Sequence, residues 1–312
     1  MSELRYDGRV AVITGAGRGL GRAYALLLGS RGAKVVVNDY GGSMFGEGSD
    51  AGVAAQVVEE IRSAGGEALA SGDSVGTPQG GKALVDAALD RYGRIDIVIH
   101  NAGISCRKSI KDISIEEFRN VLDVHLMGGL HVAHPAFPHM CSAGYGRIIL
   151  TSSIAGLYGE KIMSPYATSK AGLIGLAYAL AHEGAAEGVH CNLIIPAAVT
   201  RLSEGRDTSA FPPMTPEMVA PAVAWLAHES CPLNGEMLVS LAGRVARAFV
   251  VETTGVYQPG WTIEDIAERM DAISSADDTV RFPPIPSGFN DHLGYSFAMA
   301  RAAAPIPADQ ES

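Results

Sequence analysis

No run of about eighteen apolar residues occurs anywhere in the 312-residue chain, so nothing in it reads as a membrane-spanning helix. The opening "MSELRYDGRVAVITG" has no apolar core of the kind a secretory leader carries. Basic residues are few: 24 Lys and Arg against 34 Asp and Glu give a net charge of -10. That argues against a general nucleic-acid binder, which neutralises phosphates with clustered cations. Cysteine is sparse too. The four residues Cys106, Cys141, Cys191 and Cys231 are scattered with no C-x-x-C pair, which excludes a disulfide framework and reads as the reduced thiols of a cytoplasmic protein. Charged residues make up only 19% and hydrophobic ones 47%, so a packed core is affordable and wholesale disorder is excluded.

What is present is an alternation of short apolar runs with amphipathic stretches. "RVAVIT", "KVVVND", "EALASGD", "IDIVIHNAG", "RIILTSS", "HCNLIIP" and "EMLVSLAG" read as buried strands and the segments between them as helices. Such alternation implies an α/β protein whose parallel sheet is covered on both faces. From about Val245 the pattern fades into "RFPPIPSGFN" and "AAAPIPADQES". We expect residues 1–250 to form a dinucleotide-binding domain. Residues 251–312 are expected as an irregular extension packed on it, with one helix at "TIEDIAERMDAI".

The first strand runs into "TGAGRGLGRAYALLLGSRG", where Gly15, Gly17, Gly19 and Gly21 mark a strand-to-helix turn. Glycines there let the backbone approach a pyrophosphate, which rests on the helix N-terminus. Asp39 closes the second strand, where a carboxylate can accept hydrogen bonds from an adenosine ribose diol. Asp73 follows the third strand, in reach of an adenine or in an ordinary turn. Asn101, Ala102 and Gly103 end the fourth, at the carboxyl edge where open α/β sheets bind ligands.

"TSSIAGLYGEKIMSPYATSK", residues 151–170, concentrates hydroxyls at that same edge. Ser152 and Ser153 close the fifth strand. Tyr166 and Lys170 stand four apart and share a helix face. An ammonium beside a phenol favours the phenolate and makes the tyrosine a usable acid or base near neutrality. A serine hydroxyl nearby can hold the reacting oxygen.

Taken together, "TGAGRGLG", "NAG", Ser153, "YATSK" and the Pro196 loop "IIPAAVT" resemble the short-chain dehydrogenase/reductase family over about residues 7–243. The resemblance implies a Rossmann-type, doubly wound, seven-stranded parallel sheet. It implies hydride transfer at the nicotinamide of a dinucleotide, with Tyr166 as acid/base, Lys170 on the nicotinamide ribose and Ser153 as the catalytic serine. It adds Arg18, Leu20, Ser74, Val199 and Thr200 to the cofactor set. Many members hold a water of their proton relay with an asparagine in the helix after "NAG". Here that stretch is "DVHLMGG", so His125 is either its replacement in the catalytic set or a hydrogen-bonded buried residue. "VHLMG" and "VAPAVAWLAHESCPLNGEML" are most like the (3R)-hydroxyacyl-CoA dehydrogenase units of type 2 peroxisomal multifunctional enzymes, also called 17β-hydroxysteroid dehydrogenases. The chain ends without an S-K-L address, so a cytoplasmic location is expected.

The expected substrate is a small molecule, a hydroxyacyl-CoA or a hydroxysteroid. The alternatives are an unrelated alcohol, sugar or terpenoid, or a non-catalytic NAD-binding sensor. Arg107, Lys108, Lys111 and Arg201 are candidate cations for CoA phosphates. Residues 201–218 suit a substrate lid. His131, His134 and His139 lack acidic or thiol companions, so no metal is expected. Arg18 and Asp39 point to opposite cofactors, and the carboxylate beside a 2′-phosphate decides for NAD. "AGLIGLAYALAHEGAA", residues 171–186, is apolar nearly all round, which implies a second buried face and a homodimer or homotetramer.

Overall fold

The computed structural model describes residues 3–203 and 207–302. The chain forms two compact units, Met1–Ala248 and Phe249–Ser312. In the first, the strands are β1 (Val10–Thr14), β2 (Lys34–Asn38), β3 (Glu67–Ser71), β4 (Ile97–His100), β5 (Gly146–Thr151), β6 (Val189–Ala197), β7 (Met237–Leu241) and β8 (Arg244–Ala248). Its helices are α1 (Gly19–Ser30), α2 (Gly52–Ser63), α3 (Pro78–Tyr92), α4 (Ile115–Leu122), α5 (Gly128–Ser142), α6 (Ile154–Tyr158), α7 (Ser164–Gly184) and α8 (Ala220–Ala227).

The strands lie in one sheet in the order β3-β2-β1-β4-β5-β6-β7-β8. The first seven are parallel. They are the seven apolar runs, and the burial of β1, β4 and β5 along their whole length explains why they do not alternate. The expected seven-stranded sheet gains an eighth strand, β8, which pairs antiparallel with β7. Its hairpin turns at Ala242 and Gly243, both with positive φ (47° and 81°), as a two-residue primed turn requires.

The chain builds β1, β2 and β3 outward, then returns to lay β4 against the other side of β1. That reversal opens a crevice at the carboxyl ends of β1 and β4, the place where doubly wound sheets take ligands. Helices α1, α2 and α8 pack together on one face, and α3, α5 and α7 on the other. Local signals fix several ends. Thr77 caps α3 through Gly80 N (3.1 Å) ahead of Pro78, and Ser114 and Glu117 form a capping box on α4.

The second unit is more regular than expected. It holds β9 (Glu252–Thr253) paired antiparallel with β10 (Thr279–Val280), and α9 (Ile263–Glu268), α10 (Met270–Ser274) and α11 (Gly288–Ala302). The anticipated helix is interrupted at Arg269, between α9 and α10, and α11 was not anticipated. Most of the proline-rich tail from 303, and residues 204–206 of the expected lid, lie outside the described residues.

Candidate active site

The glycine turn between β1 and α1 is built by exclusion of side chains. A Cβ on Gly21 would lie 2.2 Å from the Gly15 carbonyl oxygen, and one on Gly17 2.4 Å from Val53. Gly15 and Gly19 have φ of 60° and 52°. The Gly17 amide donates to Asp39 Oδ2 (3.0 Å) and the Gly41 amide to Asp39 Oδ1 (2.8 Å), so the carboxylate is fixed beside the turn. A cavity of about 340 Å³ opens here. It is lined by Gly15, Arg18, Gly19, Leu20, Asp39, Asp73, Ser74, Asn101, Ala102, Gly103 and Thr200 of the expected set. These residues fit a dinucleotide: a glycine cradle for a diphosphate at a helix start, and an oriented carboxylate for a ribose diol.

Other expected residues fall outside that lining. Gly17 and Gly21 act through close packing. Pro196 lies within β6, and the Val199 amide donates to Met214 O (2.7 Å) across the proposed lid. Arg201, expected near CoA, instead places Nη1 3.0 Å from Gly42 O and lines the dinucleotide cavity. Asn38, Asn120 and Asp123 also bear on this cavity and no local signal marks them.

The catalytic candidates converge at the ends of β5 and α7. Ser153 caps α6, its Oγ accepting from Ala155 N (3.2 Å), while Ser152 Oγ donates to Lys170 O (2.8 Å) and so is structural. Lys170 is buried. Its Nζ donates to Thr151 O (2.6 Å) and lies 5.5 Å from the centroid of the Tyr166 ring. Burial lowers the lysine to about 7, so it stands at the edge of ionisation near neutrality. The His125 ring meets Tyr166 edge-on, with centroids 5.2 Å apart.

His125 sits in a π-helical turn, Asp123–Met127, between α4 and α5. Such turns recur at functional sites. Its Nε2 is 2.9 Å from both the nitrogen and the oxygen of Ile104, and its Nδ1 has no protein partner. Burial first, and the Lys170 charge second, hold it well below the usual histidine range. The ring is therefore neutral, which suits holding the loop after β4 against Tyr166 better than carrying a proton as imidazolium.

Sequence reading missed His100. Thr14 Oγ1 accepts from the amides of Asn101 and Ala102 (3.0 Å each), so its own proton goes to His100 Nδ1 (3.0 Å). His100 Nε2–H then donates to the His125 carbonyl (2.9 Å). Gly128 and Gly129 leave room for the ring: a Cβ on either would approach it within 3.2 Å. Burial, with Lys170 second, lowers His100 to about 3 and keeps it neutral in this role. The strand end that faces the dinucleotide cavity is thus tied to the turn that faces Tyr166.

The cations beside this edge are partly committed. Lys108 pairs with Glu117, and Arg107 Nη1 approaches Met163 Sδ (3.7 Å). Among the described residues no three His, Cys, Asp or Glu gather as metal ligands, and His131 Nδ1 is 2.9 Å from Val75 O. Among them, too, no helix is long and apolar enough to cross a membrane.

A doubly wound sheet with a dinucleotide crevice and a Tyr-Lys pair at its carboxyl edge defines a nucleotide-dependent oxidoreductase. Residues 9–208 match the family model described as short chain dehydrogenase. A peroxisomal multifunctional enzyme type 2 of Drosophila melanogaster is 47% identical over 81% of this chain, which spans 42% of that protein. A putative short-chain type dehydrogenase/reductase of Mycobacterium tuberculosis is 41% identical over 84% of this chain and 92% of its own length. Among solved structures, full-length Drosophila multifunctional enzyme type 2 superposes with a TM-score of 0.78 at 36% identity, covering 96% of this chain and 50% of that one. The chain belongs to the short-chain dehydrogenase family and is an oxidoreductase.

Proposed function

We propose that the enzyme uses NAD to oxidise the secondary alcohol of a (3R)-hydroxyacyl-CoA, or of a hydroxysteroid of similar bulk, to the ketone. The bound dinucleotide supplies the hydride acceptor. Tyr166 takes the hydroxyl proton, Lys170 orients the nicotinamide ribose and favours the phenolate, and Ser153 holds the substrate oxygen. His125 supports this set by fixing Ile104 and packing on the Tyr166 ring. NAD is favoured because Asp39, already fixed by two amides, presents a carboxylate where NADP carries its extra phosphate. A charge-assisted bond to a free ribose hydroxyl contributes about 1.5–3 kcal/mol.

The observation that carries the substrate class is the apolar wall between Ser153 and Tyr166. Ile154, Tyr158 and Ile162, all in the segment between Ser153 and Tyr166, are 40%, 82% and 45% exposed, which leaves apolar side chains available beside the catalytic residues for a bulky substrate. Relatives named peroxisomal multifunctional enzyme type 2 and peroxisomal hydratase-dehydrogenase-epimerase support an acyl-CoA. Four unpaired thiols support a reducing compartment, the cytoplasm, although those names say peroxisomal. The outward face of α7, with Thr168, Ala171, Gly175 and Ala179 exposed, is small-residued and supports a two-fold assembly.

The test is NADH formation with 3-hydroxyacyl-CoAs of graded length, 17β-hydroxysteroids and simple alcohols. Each added CH₂ is expected to gain up to about 0.8 kcal/mol until the pocket is filled. Faster turnover of short polyols than of both bulky classes would overturn the substrate while leaving the family assignment intact.

A further inference from the structure

Between β2 and α2 the chain spends residues 40–50 on a loop without helix or strand, most of it exposed. It buries too little to serve the core, yet it is held at its base and at its tip. At the base the Gly41 amide donates to Asp39 Oδ1 (2.8 Å) and the Asp50 amide to Tyr40 O (3.1 Å). Inside the loop the Ser43 amide donates to Glu47 O (2.7 Å) and the Gly46 amide to Ser43 O (3.0 Å). Ser43 Oγ accepts from the amides of Phe45 and Glu47 (3.2 Å each). The result is a compact loop packed on its own backbone, with its two ends together.

The sheet order turns this loop into a strap. It leaves the end of β2, and its tip reaches the chain after β4, where the Ser105 amide donates to Met44 O (2.7 Å). Gly46 sits beside Ile104, so close that a Cβ on it would lie 3.3 Å from Ile104 Cγ2. β2 and β4 flank β1 on either side. The loop therefore crosses the carboxyl end of β1, where the glycine turn opens the dinucleotide cavity, and its Tyr40, Gly42, Ser43 and Gly46 line that cavity. Two guanidiniums meet it on one oxygen. Arg18 Nη1, from the glycine turn, is 3.4 Å from Gly42 O, and Arg201 Nη1, from the chain after β6, is 3.0 Å from it.

We infer that residues 40–50 are a strap that retains the bound dinucleotide, and that Arg201 is the latch that holds the strap shut. The strap is fastened to its surroundings by single hydrogen bonds, each contributing little, so it can open within a turnover. Cofactor release then waits on that opening, as lid opening limits turnover in many enzymes. The inference rests on dinucleotide binding alone and is independent of the substrate class and of the choice between NAD and NADP.

The experiment measures the release of NADH and of NADPH by stopped-flow fluorescence, displacing each with excess oxidised dinucleotide. Three proteins are compared: the unmodified enzyme, Arg201→Met, and a variant in which residues 42–48 are replaced by two glycines. The ends of the excised segment already meet at Tyr40 and Asp50, so the cofactor-free melting temperature of that variant is expected to stay within about 3 °C. Arg201→Met should release the dinucleotide about threefold to tenfold faster, the range of one lost hydrogen bond. The excised variant, which loses the contacts to Arg18, Arg201 and Ser105 together, should release it about tenfold faster or more. Release within about twofold of the original in the excised variant would overturn the strap. A melting temperature many degrees lower would overturn it too, by making the loop a support of the fold. Unchanged release in Arg201→Met would overturn the latch. Failure of the proposed function has different marks: tighter binding of NADPH than of NADH, or no turnover of either bulky substrate class by the unmodified enzyme.

Discussion

Lys170→Met should make the free protein more stable while destroying its activity. The Lys170 side chain is 3% exposed, and burial lowers its ionisation from the ordinary 10.5 to about 7. Between those two values the unfolded chain holds a proton that the folded chain has released, so stability rises with pH across that window. Below about 7 the whole penalty applies. At about 1.36 kcal/mol per pH unit, the fall from 10.5 to about 7 gives an upper bound near 5 kcal/mol. Methionine matches the lysine stem and carries no charge, but it leaves Thr151 O without the Nζ donor now 2.6 Å away, a loss of about 1–3 kcal/mol. The variant is therefore expected to be more stable at pH 7, by at most about 2–4 kcal/mol. That advantage should vanish by about pH 10. Urea denaturation of both proteins without cofactor, at pH 6, 7, 8.5 and 10, measures this, and the difference between the curves cancels every group they share. A variant less stable at pH 7, or a difference that does not change with pH, would refute the reasoning.

Three further outcomes are expected. The ratio of kcat/KM values should favour NAD over NADP, and Asp39→Ala should narrow it by about tenfold or more, in line with one lost charge-assisted bond; a preference for NADP in the unmodified enzyme would contradict this. His100→Leu removes two buried hydrogen bonds and should cost about 2–5 kcal/mol in urea denaturation. Because His100 is lowered to about 3 when folded, stability should also fall as pH drops from about 6.5, and the leucine variant should lose its share of that slope. Light scattering at micromolar concentration should give a dimer or tetramer mass; a monomer mass would remove the assembly built on α7.

Much of the fold was legible because parallel strands buried on both faces are written as unbroken apolar runs. β8 was not, for a physical reason. "RVARA" leaves most of its residues solvated, and the turn before it uses Ala242 where Asn or Asp would have announced a hairpin. α11 escaped because Gly288 and Gly294 break its helical signal, and few of its residues are buried. In the site, Tyr166, Lys170 and the glycine turn were readable because their spacing within one element is the geometry. His100 was not, since its partners are Thr14, 86 residues earlier, and the carbonyl of His125, 25 residues later. Arg201 read as a substrate cation from its place after β6. Only the fold shows it reaching Gly42, 159 residues earlier in the chain.

The central claim is that Tyr166 carries the proton in a dinucleotide-dependent oxidation. Tyr166→Phe tests it most directly, because it deletes one hydroxyl and keeps the ring that packs on His125. NADH formation from a 3-hydroxyacyl-CoA should fall by about 10²–10⁴-fold. NAD binding, followed by fluorescence titration, should be unchanged within about twofold, since the glycine turn and Asp39 are untouched. A variant that keeps more than about half of the activity would contradict the account.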